Sequence, residues 1–190
     1  MPSREQSTPK MTDLADSLPQ QHNVQIILSP SRLQFTGKVS LLAGTASSSL
    51  NWRNVLTTLL APLPITILNP HRSDWDSSWT EDPFFQPFAE QVAWEQDMQS
   101  VADLIVVYLG SETDAPVSLM EFGMAVGRGK KMIVGIERGY RKSGYVVVVC
   151  QRGGVEWVDV DAGEDGVKAL AAVVKERVEG VLQQRGVGLA

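Results

Sequence analysis

The chain has 190 residues, of which 43% are hydrophobic and 21% are charged, and its 17 basic and 22 acidic side chains give a net charge of −5. These values are typical of one globular domain of about 150 residues with a substantial core. One cysteine excludes an internal disulfide framework and a Cys-cluster zinc site, and two histidines leave little for a His-based metal site.

Expectations about location and partners follow from the same sequence. No apolar run reaches the roughly 18–20 residues that cross a bilayer, and the first residues, MPSREQSTPK, lack the apolar centre of a signal peptide. We therefore expect a cytoplasmic protein that does not bind membranes. Because the net charge is negative and no cluster of Lys and Arg is present, we also expect no nucleic-acid partner.

The first residues, 1–22, contain few apolar side chains among Ser, Gln, Pro and charged residues, which predicts a disordered tail. From residue 23 short apolar runs alternate with amphipathic stretches, so we expect one α/β domain over 23–185 and a frayed end over 186–190. The apolar runs predict strands at Val24–Leu28, Val39–Ala43, Ile65–Leu68, Leu104–Leu109, Met132–Ile136 and Val146–Cys150. The stretches between and after them predict helices at roughly 48–60, 84–102, 117–128 and 165–184.

Ligands of open α/β sheets bind beyond the carboxyl ends of the strands, so the segments that follow predicted strands are the candidates for a site. The segment that begins Gly44-Thr45-Ala46-Ser47 has small residues that allow a ligand to approach the backbone. Because it matches neither GxGxxG nor a P-loop, a tight strand-to-helix turn without a ligand is an equal alternative. The polar segment 69–83 is long enough to be a functional loop.

Glu95 is predicted to lie in the middle of an apolar helix face formed by Phe84, Phe88, Val92 and Ala102. An unpaired buried carboxylate costs several kcal/mol, so this position predicts either a function or a partner. The structural alternative is a salt bridge to Arg53 or Arg72.

Glu121 is predicted to lie about one turn into a helix that Pro116 starts, next to apolar residues on the wheel. We expect this helix to be buried and its dipole to keep the carboxylate ionised, by roughly 0.3–1 kcal/mol. An ionised, partly desolvated carboxylate at this edge of a sheet is suited to act as a nucleophile or a general base. A carboxylate that serves only the helix dipole is the structural alternative.

Two further features are candidates for ligand contacts. Asp114 is predicted on the same edge of the sheet, where a role in binding and a solvated loop position are about equally supported. Four of the five tryptophans lie between residues 52 and 94, a distribution that suits a planar ligand, a subunit contact or core packing.

The chain resembles the nucleoside 2-deoxyribosyltransferases, over roughly residues 24–150. The resemblance rests on the order and spacing of separated motifs. These are Val39–Gly44, Asn51-Trp52-Arg53, Asn69–Trp75, Trp94-Glu95, Ala102–Ile105, Pro116–Gly123 and Gly129–Lys131. It implies a flavodoxin-like (Rossmann-like) three-layer sandwich with a mostly parallel five-stranded sheet, in a homo-oligomer whose active sites borrow residues from a neighbour.

The same resemblance implies the chemistry and the residues that carry it. Glu121 matches the nucleophile that forms a covalent deoxyribosyl–glutamate intermediate, and Glu95 matches the acid that handles the base. The implied substrates are a nucleoside and a nucleobase, with no metal and no organic cofactor. The residues implied or proposed to contact the substrate are Gly44, Thr45, Trp52, Asn69, Arg72, Asp114 and Tyr145.

Alternatives of a different class stay open. Tyr145 stands where the family commonly has an asparagine that recognises substrate, which favours a nucleoside or nucleotide sensor without turnover. A phosphoribosyl-type or NAD-type glycohydrolase on a related sheet would need basic residues near Gly44, for which Arg53 and Arg72 are the candidates. Transfer to a base and transfer to water are not separated by the sequence.

Overall fold

A computed structural model of the chain describes residues 24–45, 50–76 and 78–183. The predicted tail at 1–22 and the predicted frayed end at 186–190 lie outside the described residues. The strands are β1 (Gln25–Leu28), β2 (Lys38–Gly44), β3 (Ile65–Asn69), β4 (Leu104–Leu109), β5 (Met132–Glu137) and β6 (Glu156–Val160). The helices are α1 (Trp52–Leu60), α2 (Gln86–Val101), α3 (Pro116–Gly127), α4 (Ser143–Gly153) and α5 (Glu164–Gln183).

The six strands form one parallel sheet in the order β1-β3-β2-β4-β5-β6. Strands β2 to β6 alone have the flavodoxin-like order, and β1 adds a strand beside β3 at one edge. The prediction of a flavodoxin-like α/β fold is therefore confirmed, with six strands instead of five. Among the described helices, none is both long enough and apolar enough to span a bilayer.

Helices cover both faces of the sheet and enclose two apolar cores. One core packs α1 and α5 against the sheet, with Trp52, Leu56 and Val174 fully buried. The other packs α2, α3 and α4 against the opposite face, with Trp94 and Phe122 among its members. This arrangement is the three-layer sandwich that the family resemblance implies, built from the α/β alternation that the apolar runs predict.

The prediction of a strand at Val146–Cys150 is wrong, because these residues belong to α4. Val146 and Cys150, four residues apart, are fully buried, whereas Val148 between them is 53% exposed. That spacing is helical, so packing of one face overrides the strand preference of a valine run. Gly154 ends the helix in a left-handed conformation, and the last strand, β6, follows it.

Gly135 allows α5 to pack closely on the middle of β5. A Cβ at Gly135 would lie 2.7 Å from Cδ2 of Leu170, which is fully buried. We predict that Gly135→Ala lowers the free energy of unfolding by about 1–3 kcal/mol, because the added methyl overpacks this layer. Urea unfolding of Gly135→Ala, Leu170→Ala and the double variant measures it.

The double variant should lose less unfolding free energy than the sum of the losses in the two single variants, because removing the Leu170 side chain makes room for the new methyl. Gly180→Ala is the control, since nothing lies within 4 Å of a Cβ at that helical position. It should be neutral or stabilising by up to about 1 kcal/mol. Strict additivity of Gly135→Ala and Leu170→Ala would contradict this packing.

Candidate active site

A small cavity lies at the carboxyl ends of the central strands, where the strand order reverses between β2 and β4. The helices that follow these two strands pack on opposite faces, which opens a crevice at this point in flavodoxin-like sheets. The cavity has a volume of about 130 Å³. Its polar or conformationally special lining residues are Gly44, Arg53, Pro70, Glu95, Ser118 and Glu121.

A larger groove of about 600 Å³ lies at the opposite edge of the sheet, by the amino ends of β2, β4 and β5. Four of its charged side chains form two salt bridges, Lys38 with Asp103 at 2.8 Å and Arg177 with Glu156 at 2.6 Å. Parallel α/β sheets bind ligands at the carboxyl edge, so we place the site in the smaller cavity.

The end of β2 fits against β4 because residue 44 is glycine. Gly44 has φ +120°, and a Cβ there would lie 2.1 Å from the carbonyl oxygen of Tyr108. The next residue, Thr45, is buried and donates its backbone N–H to the same oxygen at 2.8 Å. Its hydroxyl oxygen accepts the backbone N–H of Gly110 at 2.9 Å. Gly44 thus lines the cavity, whereas Thr45 joins the two strand ends behind it.

Glu95 is half-buried on α2 and is held by a neighbour on the same helix. Nε2 of Gln91, one turn earlier, donates to the Glu95 carboxylate at 2.7 Å and to the carbonyl oxygen of Pro70 at 2.9 Å. Burial raises the pKa of Glu95, while the Gln91 hydrogen bond and the charge of Arg53 act in the opposite direction. No salt bridge within 4 Å joins Glu95 to any described residue, so the predicted alternative of an ion pair with Arg53 or Arg72 is wrong.

The apolar face predicted around Glu95 also differs from the observed one. Phe84 precedes α2 and is 93% exposed, and Val92 is 41% exposed. The buried positions of α2 are Gln91, Trp94, Met98 and Gln99. Glu95 follows Trp94 at the edge of this face and reaches the cavity from there.

Glu121 lies in the second turn of α3, is half-buried and lines the cavity. Burial, and to a lesser extent the charge of Glu95, raise the pKa of this carboxyl to about 7, and Arg53 opposes both effects. The expectation that the helix dipole keeps Glu121 ionised is wrong, because the effect fades beyond the first turn and desolvation outweighs it. Near neutral pH this carboxyl is poised between its two protonation states.

Arg53, in the first turn of α1, brings a positive charge to the two carboxylates. Nη2 donates to the Gly44 carbonyl at 2.9 Å and Nη1 to the Thr45 carbonyl at 3.3 Å. The guanidinium lies 4.7 Å from the centre of the Trp52 ring. Burial lowers the pKa of Arg53 to about 10, so the side chain stays protonated at neutral pH.

Three other predicted contact residues lie behind or beside the cavity lining. Trp52 is 1% exposed and packs against Tyr108, with its indole N–H donated to the Thr45 carbonyl at 2.8 Å. Asn69 is buried at the end of β3, where its side-chain oxygen accepts the backbone N–H of His71. Arg72 is buried and forms salt bridges of 2.9 Å with Asp74 and with Glu90.

The remaining two predicted residues are exposed. The Asp114 carboxylate pairs with Arg141, which lowers its pKa, and the Asp114 carbonyl accepts the hydroxyl of Tyr140 at 2.9 Å. Tyr145 is 74% exposed on α4, not at the start of a strand as predicted. Neither residue is part of the cavity lining.

The sequence interpretation missed three polar side chains. Gln91 could have been found from its spacing of four residues before Glu95, and Ser118 from its spacing of three residues before Glu121. Glu137 gives no such signal, yet it is buried at the end of β5, where it accepts hydrogen bonds from the Tyr108 hydroxyl and from Ser111. Its hydrogen bonds indicate a structural role.

The tryptophans divide into two groups. Trp52 and Trp94 are fully buried in the two cores. Trp75 and Trp79 lie in the loop between β3 and α2 with their ring centres 5.0 Å apart. The Arg72 guanidinium lies 5.2 Å from the centre of the Trp79 ring. Core packing thus accounts for the first pair, and in the second pair Trp79 lies against Arg72.

No group of three or more His, Cys, Asp or Glu side chains in the described ranges is arranged to hold a metal ion. The site therefore offers two carboxylates, one guanidinium and small lining residues. Such a set can supply a nucleophile and a proton donor within one cavity.

A protein-family model matches the part of the chain that contains the cavity. A family model described as nucleoside 2-deoxyribosyltransferase like matches residues 38–140, just over half of the chain. The matched range runs from the start of β2 through α3 and β5, and it contains every residue of the cavity lining. A search of curated proteins finds no match.

The raised pKa of Glu121 makes the stability of the fold depend on pH. The folded protein keeps the Glu121 proton up to about pH 7, whereas the unfolded chain releases it near pH 4.5. Its stabilising contribution is thus complete below pH 4.5 and is lost as the pH rises through 7. We predict that, between pH 4 and pH 8, the wild type loses on the order of 3 kcal/mol of unfolding free energy relative to Glu121→Gln.

Urea unfolding across this pH range measures the difference. Glu176→Gln, which removes an exposed carboxylate from α5, is the control and should follow the wild type. Parallel pH curves for Glu121→Gln and the wild type would show that the Glu121 carboxyl is not desolvated in the folded protein.

Proposed function

The chain belongs to the nucleoside 2-deoxyribosyltransferase-like family, and from this we propose that it cleaves the N-glycosidic bond of a nucleoside or 2′-deoxynucleoside. The sugar passes through a covalent intermediate on Glu121 to a second base or to water. The observation that carries this proposal is the placement of Glu121 and Glu95 in one cavity at the switch point of the sheet.

In the first step an oxygen of the ionised Glu121 forms a bond to C1′ of the sugar as the C1′–N bond breaks. The electron pair of that bond goes to the base nitrogen, and the neutral form of Glu95 donates a proton to the leaving base. In the second step a nitrogen of the incoming base, or water, attacks C1′ and releases Glu121. The Glu95 carboxylate takes the proton of that nucleophile, so the two steps restore the starting site, as in retaining glycosidases.

The two acids need different protonation states for this reaction, and their proximity favours such a division. The charge of Glu95 raises the pKa of Glu121, so over part of the pH range the pair holds one proton, and the reaction uses the form in which Glu95 carries it. Burial raises the pKa of both groups toward neutrality, where a general acid is effective. Because turnover needs Glu121 ionised and Glu95 protonated, it is highest where the pair holds one proton and falls at lower and higher pH.

The charges around the cavity favour a neutral nucleoside over a polyphosphate. Arg53 is bound by two backbone carbonyls and faces two carboxylates, and Arg72 is neutralised by Asp74 and Glu90. Neither guanidinium is available to a phosphate, which argues against the glycohydrolase alternatives. Gly44, Pro70 and Ser118 would contact the substrate, while Thr45, Trp52, Asn69 and Arg72 would support that surface.

A homo-oligomer is part of the proposal, because α3 and α4 present apolar side chains to solvent. Val117, Met120, Tyr145 and Val148 are between 52% and 74% exposed, although α3 was expected to be buried throughout. Val117 also lines the cavity, so a second copy on this surface would lie beside the site. Exposed apolar residues of this kind mark protein contacts, and a second copy bound here would bring Tyr145 to the subunit boundary.

We predict that Glu121→Gln lowers exchange between a 2′-deoxynucleoside and a free base by at least about 10³-fold, because the nucleophile is lost. Chromatography of the bases measures exchange, and mass spectrometry of the wild type should find one pentosyl adduct on the peptide that contains Glu121. Glu95→Gln should lower the rate of base exchange by about 10²–10⁴-fold, and by less when the leaving base departs without needing a proton.

Glu176→Gln serves as the matched control and should exchange bases like the wild type. Unchanged turnover in Glu121→Gln would contradict the assignment of the nucleophile. Tight nucleoside binding by calorimetry, with neither exchange nor hydrolysis in the wild type, would select the sensor alternative.

We predict that Met120→Glu reduces the oligomer toward the monomer, because a charge in the α3–α4 patch cannot be buried without a partner. Light scattering after size-exclusion chromatography gives the mass, and Leu33→Glu, at an exposed apolar position of the β1–β2 loop, is the control. A wild-type protein that is monomeric at all concentrations would refute the oligomer.

A further inference from the structure

Arg53 is the one cationic lining residue of the cavity in the described part of the chain. We propose that Arg53 is a positioning residue, which is fixed by the carbonyl end of β2 and supplies the positive charge that allows a carboxylate of this buried pair to ionise. The proposal rests on the proposed function for its role in turnover, and its effect on the carboxylates is testable without turnover.

The position of the guanidinium is set by the backbone. Both of its terminal nitrogens donate to consecutive carbonyl oxygens, those of Gly44 and Thr45. The adjacent Trp52 is anchored to the same Thr45 oxygen through its indole N–H, and its ring stacks near the guanidinium. These contacts hold Arg53 at the strand end and account for the absence of a direct salt bridge to Glu95 or Glu121.

The Nε of Arg53 is buried and has no hydrogen-bond partner among the described residues. An unsatisfied buried donor costs about 1–3 kcal/mol, and more on a charged group, so the arrangement requires compensation. The field of two nearby carboxylates offsets part of this cost, because both Glu95 and Glu121 raise the pKa of Arg53, although burial still lowers it overall.

The charges that face the pair are few. Glu121 experiences Glu95 from α2 and Arg53 from α1, and Glu95 experiences Arg53 and the amide of Gln91 on its own helix. The other lining residues are Leu41, Leu42, Ala43, Gly44, Pro70, Val117 and Ser118, which carry no charge. Removal of Arg53 therefore leaves two carboxyl groups in a desolvated cavity with no opposing charge.

The test compares Arg53→Met and Arg53→Lys with the wild type over pH 5–9. For Arg53→Met we expect the acidic limb of kcat to move up by about one pH unit or more, with little change in KM, because the Glu121 carboxyl ionises later. Arg53→Lys keeps the charge without the planar fork and should restore part of the shift. Arg32→Met, which removes an exposed guanidinium paired with Asp97, should leave the profile unchanged.

A second readout does not depend on activity. Carbon NMR of glutamate carboxyls, with the Glu121 signal assigned from its loss in Glu121→Gln, should show Glu121 titrating at higher pH in Arg53→Met. If that titration moves in a protein that exchanges no bases, the proposed function fails while the role of Arg53 stands. An unmoved titration, or a kcat loss that is equal at every pH, would overturn the proposal. Arg53→Lys provides the same readout if Arg53→Met does not fold.

Discussion

The close approach of β2 to β4 at Gly44 is the constraint on which the site depends. Because residue 44 has no side chain, its backbone lies against Tyr108, and Thr45 continues the contact by two hydrogen bonds. The Gly44 and Thr45 carbonyls accept hydrogen bonds from Arg53. A larger residue at 44 would separate the strands and displace both the cavity floor and its cation.

Burial of charged groups in the site lowers the stability of the fold, and the rest of the fold offsets this loss. Two carboxyl groups and one guanidinium are desolvated together, and the pKa of Glu121 rises to about 7 as a result. Two apolar cores, one on each face of the sheet, provide the stability that tolerates this cost. The same desolvation gives the carboxyls the near-neutral titration that proton transfer requires, so stability and reactivity are opposed at these residues.

Much of this arrangement could be predicted from the sequence. The apolar runs located the first five strands. Helical-wheel positions singled out Glu95 and Glu121 among the acidic residues, and both line the cavity, although the apolar face predicted around Glu95 differs from the observed one. The valine run before Cys150 misled because strand preference is weaker than packing of a helical face. The sequence indicated Arg53 only as a salt-bridge partner of Glu95 or a basic residue near Gly44, because its observed partners are backbone carbonyls, which residue identity does not record.

The sequence by itself determined the parallel α/β class, because periodicity records which faces must be buried. Its separated motifs indicated the family, and helical-wheel positions proposed Glu95 and Glu121 as the two acids. Only the tertiary structure decided which acids share a cavity, that Arg72 and Asp114 are neutralised elsewhere, and that Glu121 loses the benefit of the helix dipole. These outcomes depend on desolvation and on charges brought together from α1, α2 and α3. Such long-range terms arise only when the sheet assembles those helices around one edge.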